Sequence, residues 1–433
     1  MTDLATGSLG VVVLLVLLLA GLPIGVSLGL VGTVGLVAVL GAEPALVKSG
    51  VIVLETLTRY ELGTLPLFLL MAHLCASANA SRDFFDAAAK LIGHRRGGLA
   101  LASVGGCAGF GAVNGSSLAT AATMGLVALP EMRKRGYSDS LATGCVAAGG
   151  TLGQMIPPSG ALIVFGIITE QSIGKLFTAA IIPGLTQLLF YCAVIWLIAT
   201  WRPHTAPPTP RATHSERLRA IGRVWDLLLL VLLVICGIAL GWMTPTEAAS
   251  AGAAGAVLLC ARRGALNATT ILAALRETLV TSGLIFAVII GSLVFSVFIS
   301  VTGVAESVAD AAVRADLGVL GTMFLIAAVL LLLGSVLDGL ALMLLATPIV
   351  LPVVGEFGLS TIWLGIFIVR AMEIGFIHPP IGLNLYVIQG IAPDVSLGRI
   401  FKGVLPFLAS DLLHLALLIL FPAMVLWLPG QMR

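Results

Sequence analysis

Apolar runs return along the entire chain, at 11–20, 189–198, 227–240 and 317–337 among others, so contact with lipid is not confined to a single anchor. Runs of this length and apolarity read as membrane-spanning helices. Of 433 residues, 59% are hydrophobic and 10% charged, with a mean hydropathy of +1.11, whereas a soluble domain carries roughly 25% charged residues. The expected fold class is all-α and polytopic. The 50 glycines and 20 prolines are many for rigid spans. They are tolerated where neighbouring helices or a polar cavity satisfy the freed backbone groups.

A net charge of +2 offers no basic stripe for a phosphate backbone, so no nucleic-acid partner is expected. Cys75, Cys107, Cys145, Cys192, Cys236 and Cys260 stand singly in apolar runs without metal-ligand spacing and read as packing residues. No nucleophile with a partnering base stands out either, and an enzyme is not expected. Asp3 and the lack of a basic leader imply that the first apolar run stays as a span.

The chain also matches itself. Pro23 and Pro245 lie 222 residues apart, Asp86 and Asp310 lie 224 apart, Asn114-Gly115 falls on Asp338-Gly339, GQMIPPSG at 153–160 on GFIHPPIG at 375–382, and SIGKLF at 172–177 on SLGRIF at 396–401. Such a repeat sets the architecture. We divide the chain into a first repeat at 1–201, a linker at 202–223 and a second repeat at 224–433. Five spans and a short hairpin per repeat would invert the second relative to the first. The proline-rich linker with its arginines should be cytoplasmic by the positive-inside rule. His94-Arg95-Arg96, Arg133 to Arg135, Arg262-Arg263 and Arg399 to Lys402 then fall on the same side, and both termini on the opposite, periplasmic side. Residues 41–60 and 265–277 read as paired interfacial arms.

Two kinds of interruption could carry chemistry. The hairpins, expected near 97–130 and 318–353, have arms too short to span; about 16 residues per arm in the first reach only about 24 Å. Re-entry is one reading, with the tip lining a cavity near the midplane; two short spans joined outside the bilayer are the other. Asp338 at the second tip is costly at membrane depth unless a cation or the next half-helix's amides hold it. The pairs Pro157-Pro158 and Pro379-Pro380 break the spans at 140–169 and 361–391, because proline removes a donor and disfavours helix before it. Carbonyls of 150–155 and 373–377 would face a cation. The helix starts at Ser159 and near 382–384 would face an anion. A packing kink is the plainer alternative. Glu373 could relay protons or pair with Arg370 one turn earlier.

These residues carry a resemblance. GLPIG, TPTEAA, NGSSLATAATMG, GGTLGQMIPPS, GIITEQSIGKLF, LDGLALMLLATPIVLP and EIGFIHPPIGLNLYV together make the whole chain resemble the large membrane subunit, DctM type, of a tripartite ATP-independent periplasmic (TRAP) transporter. The resemblance implies an elevator-type fold in the bacterial inner membrane and sodium-coupled import of small organic anions such as C4-dicarboxylates or sugar acids. Its implied partners are a small four-helix membrane subunit (DctQ type) and a periplasmic substrate-binding protein (DctP type). One sodium site would use Asn114, Ser116 and backbone near Gly150 and Gly153; a second would use Asp338, Gly339 and backbone near Gly375. Substrate would lie among Ser117, Pro158, Ser159, His378, Pro380 and Asn384. Many relatives have serine at Asn114 and threonine at His378; the imidazole could pack passively, donate to a carboxylate or alter the second ion site. A stand-alone ion-coupled carboxylate transporter or cation antiporter is the alternative function.

Overall fold

The structure, a computed structural model, describes residues 3–432, and among these every regular element is helical. In the first half, α1 (Asp3–Leu19) and α2 (Ile24–Leu40) form an apolar pair. They are followed by α3 (Ala42–Thr58), α4 (Thr64–Ser77), α5 (Ala80–Ile92), a hairpin of α6 (Gly98–Asn114) and α7 (Ser117–Lys134), the collinear-sequence pair α8 (Asp139–Met155) and α9 (Gly160–Thr169), and the long α10 (Ile173–Trp201). In the second half come α11 (His214–Ala239), α12 (Pro245–Arg262), α13 (Ala268–Val301), α14 (Val304–Arg314), a hairpin of α15 (Gly318–Gly334) and α16 (Gly339–Glu356), then α17 (Thr361–Gly375), α18 (Leu383–Ile391) and α19 (Leu397–Leu420). The order of the second half repeats that of the first, with one difference. The arm at 42–58 is a helix of its own, whereas the expected second arm at 265–277 runs without a break into α13. The cause is local. Pro66 is best accommodated in the first turn of a helix, and α4 starts afresh at Thr64, while no proline or glycine interrupts 267–282.

Seven segments among the described residues are long and apolar enough to cross a bilayer, α8–α9 being counted as one. One of the seven, Gly339–Glu356, contains Pro348 and Pro352 and packs on α15, so we describe it as a hairpin arm. The chain is a multi-pass membrane protein.

The halves interlock by exchange: α2 packs along α13 of the second half, and α12 along α4 of the first. Small residues allow backbones to meet, the usual device between membrane helices. A Cβ on Gly25 would lie 2.8 Å from the Ala287 carbonyl, and one on Gly32 would lie 2.8 Å from the Phe295 nitrogen. On the exchanged pair, the Thr64 and Thr246 hydroxyls share a buried hydrogen bond of 2.6 Å. Around this frame pack the hairpins and broken helices. Cys75, Cys107, Cys145 and Cys260 are buried among them, Cys192 is half-buried and Cys236 exposed.

A group of basic residues gathers at one end. Arg263 pairs with Asp83 at 2.5 Å and with Asp226 at 2.8 Å, Arg133 with Asp139 at 3.0 Å and also with Asp394, and Arg399 with Asp139 at 3.3 Å. The Arg133 hydrogen bond holds the Asp394 carboxyl below its ordinary range. The linker closes this end, with Gly97 N–H donating to the Ala206 carbonyl and Ser138 N–H to the Thr205 carbonyl, both at 3.1 Å.

Candidate functional site

Each hairpin tip meets the interruption of the following broken helix. In the first half, α6 stops because Gly115 takes φ +66°, a left-handed conformation natural to glycine. Ser116 is extended and caps α7, its Oγ accepting from Ala119 N–H at 3.4 Å. Opposite, α8 ends at Met155, the Pro157-Pro158 bond is cis, and Ser159 caps α9 by accepting from Leu162 N–H at 3.5 Å. Gly160 N–H donates to the Gly115 carbonyl at 3.4 Å, tying tip to break. A Cβ on Gly115 would lie 2.6 Å from the Pro158 carbonyl oxygen. One on Gly153 would lie 2.5 Å from Thr120 Oγ1 and 2.8 Å from the Ser116 carbonyl oxygen. Around this contact three buried polar atoms have no protein partner: Asn114 Nδ2, Thr120 Oγ1 and Gln154 Oε1. Most buried polar atoms are bonded, so this cluster of orphans marks a candidate site.

The second half repeats the arrangement with a carboxylate. Asp338 caps α16, accepting from Leu340 N–H at 3.1 Å, so the capping role is present. A Cβ on Gly375 would lie 2.6 Å from the Gly334 carbonyl oxygen, and one on Gly339 would lie 2.4 Å from Met372 Cγ. The Pro379-Pro380 bond is also cis. His378 is half-buried with Nδ1 unpartnered, and Pro380 is exposed.

A cavity of about 590 Å³ adjoins the first contact. Asn114, Gly115, Ser116, Gln154, Pro158 and Gly160 form one wall; Pro23, Gly25, Phe68 and Thr281 of the frame form the other, and Leu340 reaches it from the second hairpin. Of the residues expected from sequence, then, Asn114, Ser116 and Pro158 line this cavity. Gly150 and Gly153 stand behind them, where Gly150 meets Ala121 and the Ser117 carbonyl. Asp338, Gly339, Gly375, His378 and Pro380 lie outside its lining, at the second contact. Ser117, Ser159 and Asn384 are fully enclosed. Asn384 Nδ2 donates to Ser117 Oγ and to the Ala147 carbonyl, each at 3.0 Å, and this stitches α18 to α7 and α8 across the two halves.

Behind both contacts lies a buried polar cluster. Arg370 donates to Glu373 at 2.9 Å and also to Asp411 of α19; Tyr191 of α10 donates to Asp411 at 2.8 Å, and its hydroxyl bonds Thr151 of α8 at 2.9 Å. Gln187 adds a 3.0 Å bond to Thr151. The Arg370–Glu373 pairing is therefore present, and Asp411, Tyr191 and Gln187 complete it. A signal for them existed: Thr151 and Glu373 are 222 residues apart and Gln187 and Asp411 are 224 apart, the spacing of the repeat itself. Thr120 and Gln154, which carry the first contact's orphans, stood inside the quoted motifs.

Known proteins resemble this chain in sequence and in fold. The chain is 36% identical over 410 residues to the C4-dicarboxylate TRAP transporter large permease protein DctM of Pseudomonas aeruginosa, covering 93% of this chain and 94% of that one. It is 31% identical to the sialic acid TRAP transporter permease protein SiaT of Haemophilus influenzae, over 87% of this chain and 61% of that longer protein. In fold it is similar to the YdaH transporter of Alcanivorax borkumensis, with a TM-score of 0.60 at 14% identity, covering 88% and 89% of the two chains. Residues 11–424 match the family model described as the DctM component of the tripartite ATP-independent periplasmic transporter. With that match running almost end to end, the chain belongs to the DctM family, the large permease component of TRAP transporters.

Proposed function

We propose that this permease imports a small organic anion together with sodium, by an elevator movement of a core against a frame. The observation that carries the reading is the pair of tip-to-break contacts, one of them bearing orphaned polar atoms at a cavity that lies between core and frame elements. A hard cation takes oxygen ligands. Thr120 Oγ1, Gln154 Oε1 and the Ser116 carbonyl offer them at the first contact, with Asn114 beside them; Asp338, Gly339 and backbone near Gly375 offer them at the second. Helix starts at Ser117 and Gly160 present amides and the positive end of a helix dipole, which suits a carboxylate. A bound cation at each tip would also offset the cost of Asp338 and of the orphans at membrane depth. The names of relatives support the substrate class, specifying C4-dicarboxylates, sialic acid and isethionate, with ectoine beside them.

The core would comprise α6–α10 and α15–α19, because the Arg370 cluster binds α8, α10, α17 and α19 into one body. The frame would comprise α1–α4 and α11–α13. In this reading the basic end faces the cytoplasm, both termini face the periplasm, and a DctQ-type subunit and a DctP-type binding protein complete the importer.

The test is uptake into proteoliposomes holding the permease with its small subunit, supplied with loaded binding protein under an inward sodium gradient. We expect accumulation of a C4-dicarboxylate or sugar acid that stops when the gradient is dissipated. Accumulation indifferent to sodium would refute the coupling. Accumulation by the permease alone would refute the need for partners and favour a stand-alone transporter.

A further inference from the structure

A second cavity, of about 470 Å³, lies at the basic end, away from the tip contacts. It is walled by the last turns of α10 (Val194, Leu197, Ile198, Trp201, Arg202), the start of α8 (Ser138, Ser140, Leu141) and the start of α19 (Lys402, Gly403, Pro406), with Thr205 of the linker at its edge. Its floor is a close crossing of α8 and α19: Gly403 has no room for a side chain, since a Cβ there would lie 1.8 Å from the Ser140 carbonyl oxygen. Its chemistry is divided. The part deeper along α10 is apolar, with Leu197 exposed; the mouth holds Trp201, 75% exposed, and two cations.

Those cations stand out by position. Arg95, Arg96, Lys134 and Arg135 also form no ion pair among the described residues, but only Arg202 and Lys402 line this pocket, where their exposed side chains have no ion-pair or hydrogen-bond partner among the described residues. The nearest acid in sequence, Asp139, is already held by Arg133 and Arg399. The Ser140 hydroxyl also makes no hydrogen bond among the described residues. We infer that this pocket binds the headgroup of an anionic phospholipid, with Arg202, Lys402 and Ser140 on the phosphodiester and an acyl chain along Val194, Leu197, Ile198 and Pro406. Charge complementarity and location both argue for lipid over a free anion. A basic pocket between helix ends at the membrane surface is the form in which anionic headgroups are held, a tryptophan at its rim marks the interfacial level, and a free phosphate would leave the apolar wall unused.

The experiment is native mass spectrometry of the detergent-extracted full chain, with titration of phosphatidylglycerol, phosphatidylcholine and inorganic phosphate. The wild type should retain phosphatidylglycerol through delipidation. R202A/K402A should weaken that binding by about 30-fold, R202K should retain most of it, and R211A/R219A, which removes two cations outside the pocket, should leave it unchanged. Equal retention of phosphatidylcholine, equal loss in R211A/R219A, or saturation by inorganic phosphate alone would overturn the inference. Should R202A/K402A not fold, photoactivatable phosphatidylglycerol on the wild type decides: label on peptides containing 194–205 or 402–406 supports the site, and label elsewhere only refutes it.

Discussion

At the residue scale the two tips differ by one charge. Asn114 and Asp338 occupy matching positions 224 residues apart, yet only Asp338 brings a carboxylate. As a cap alone it would be worth about 1 kcal/mol. Asp338→Asn keeps a cap-competent oxygen and removes the charge, so we expect it to leave membrane insertion and thermal stability nearly unchanged while abolishing sodium-stimulated uptake. Unaltered sodium dependence in reconstituted vesicles would remove Asp338 from the ion site. Space, and not charge, governs the residue behind the other tip. Gly153→Ala must push Thr120 and the Ser116 carbonyl aside, since its Cβ would lie 2.5 and 2.8 Å from them; we expect uptake to fall at least tenfold. Gly105→Ala on the same hairpin meets nothing within 4 Å and should transport normally, which controls for a general effect of helix substitution.

At the element scale, the broken helices and hairpins were readable because proline pairs and the polar tips interrupt otherwise apolar runs and do so twice. The fusion of the second arm into α13 was not readable from polarity, since helix continuity there depends on the absence of a breaker at the position matching Pro66. Nor was the bond between Ser117 and Asn384 readable. Both are polar residues at helix starts, and only the fold shows Asn384 reaching back across the repeat to Ser117 and the Ala147 carbonyl. The buried cluster was half legible: Arg370 and Glu373 are one turn apart, but Asp411 and Tyr191 join them only through packing of α10 and α19. Breaking a buried ion pair by removing one partner costs about 3–5 kcal/mol. Asp411→Ala leaves Arg370 with Glu373 alone and the buried Tyr191 hydroxyl without its acceptor, so it should lower the melting temperature of the detergent-solubilised protein. Arg370→Met with Glu373→Gln and Asp411→Leu, which removes all three charges together, should recover most of that loss. If the triple change were as damaging as the single one, electrostatics would not be the cluster's main contribution.

At the scale of the whole molecule, one ion pair among the described residues joins the core of the proposed elevator to its frame, far from the basic end. Arg59, between α3 and α4 of the frame, donates to Glu170 at 2.7 Å and to the Ile167 carbonyl at 3.2 Å, at the C-terminal end of α9 in the core. Glu170 holds a left-handed conformation at φ +54° as it ends that helix. The guanidinium thus meets a carboxylate and the negative end of a helix dipole together. Both side chains are solvent-accessible, 31% and 72%, so the pair is worth less than about 1 kcal/mol and can be made and broken in each transport cycle. If the core slides along the frame, this contact belongs to one extreme of the travel and must open at the other. Arg59→Cys with Glu170→Cys, in a background with Cys192 and Cys236 replaced by serine, should be joined by a bifunctional thiol reagent that bridges the two positions. Cross-linking should arrest sodium-driven uptake, and reductive release should restore it. A fully cross-linked protein that still transported would show that Arg59 and Glu170 move as one body, and the division between core and frame would have to be redrawn through α9.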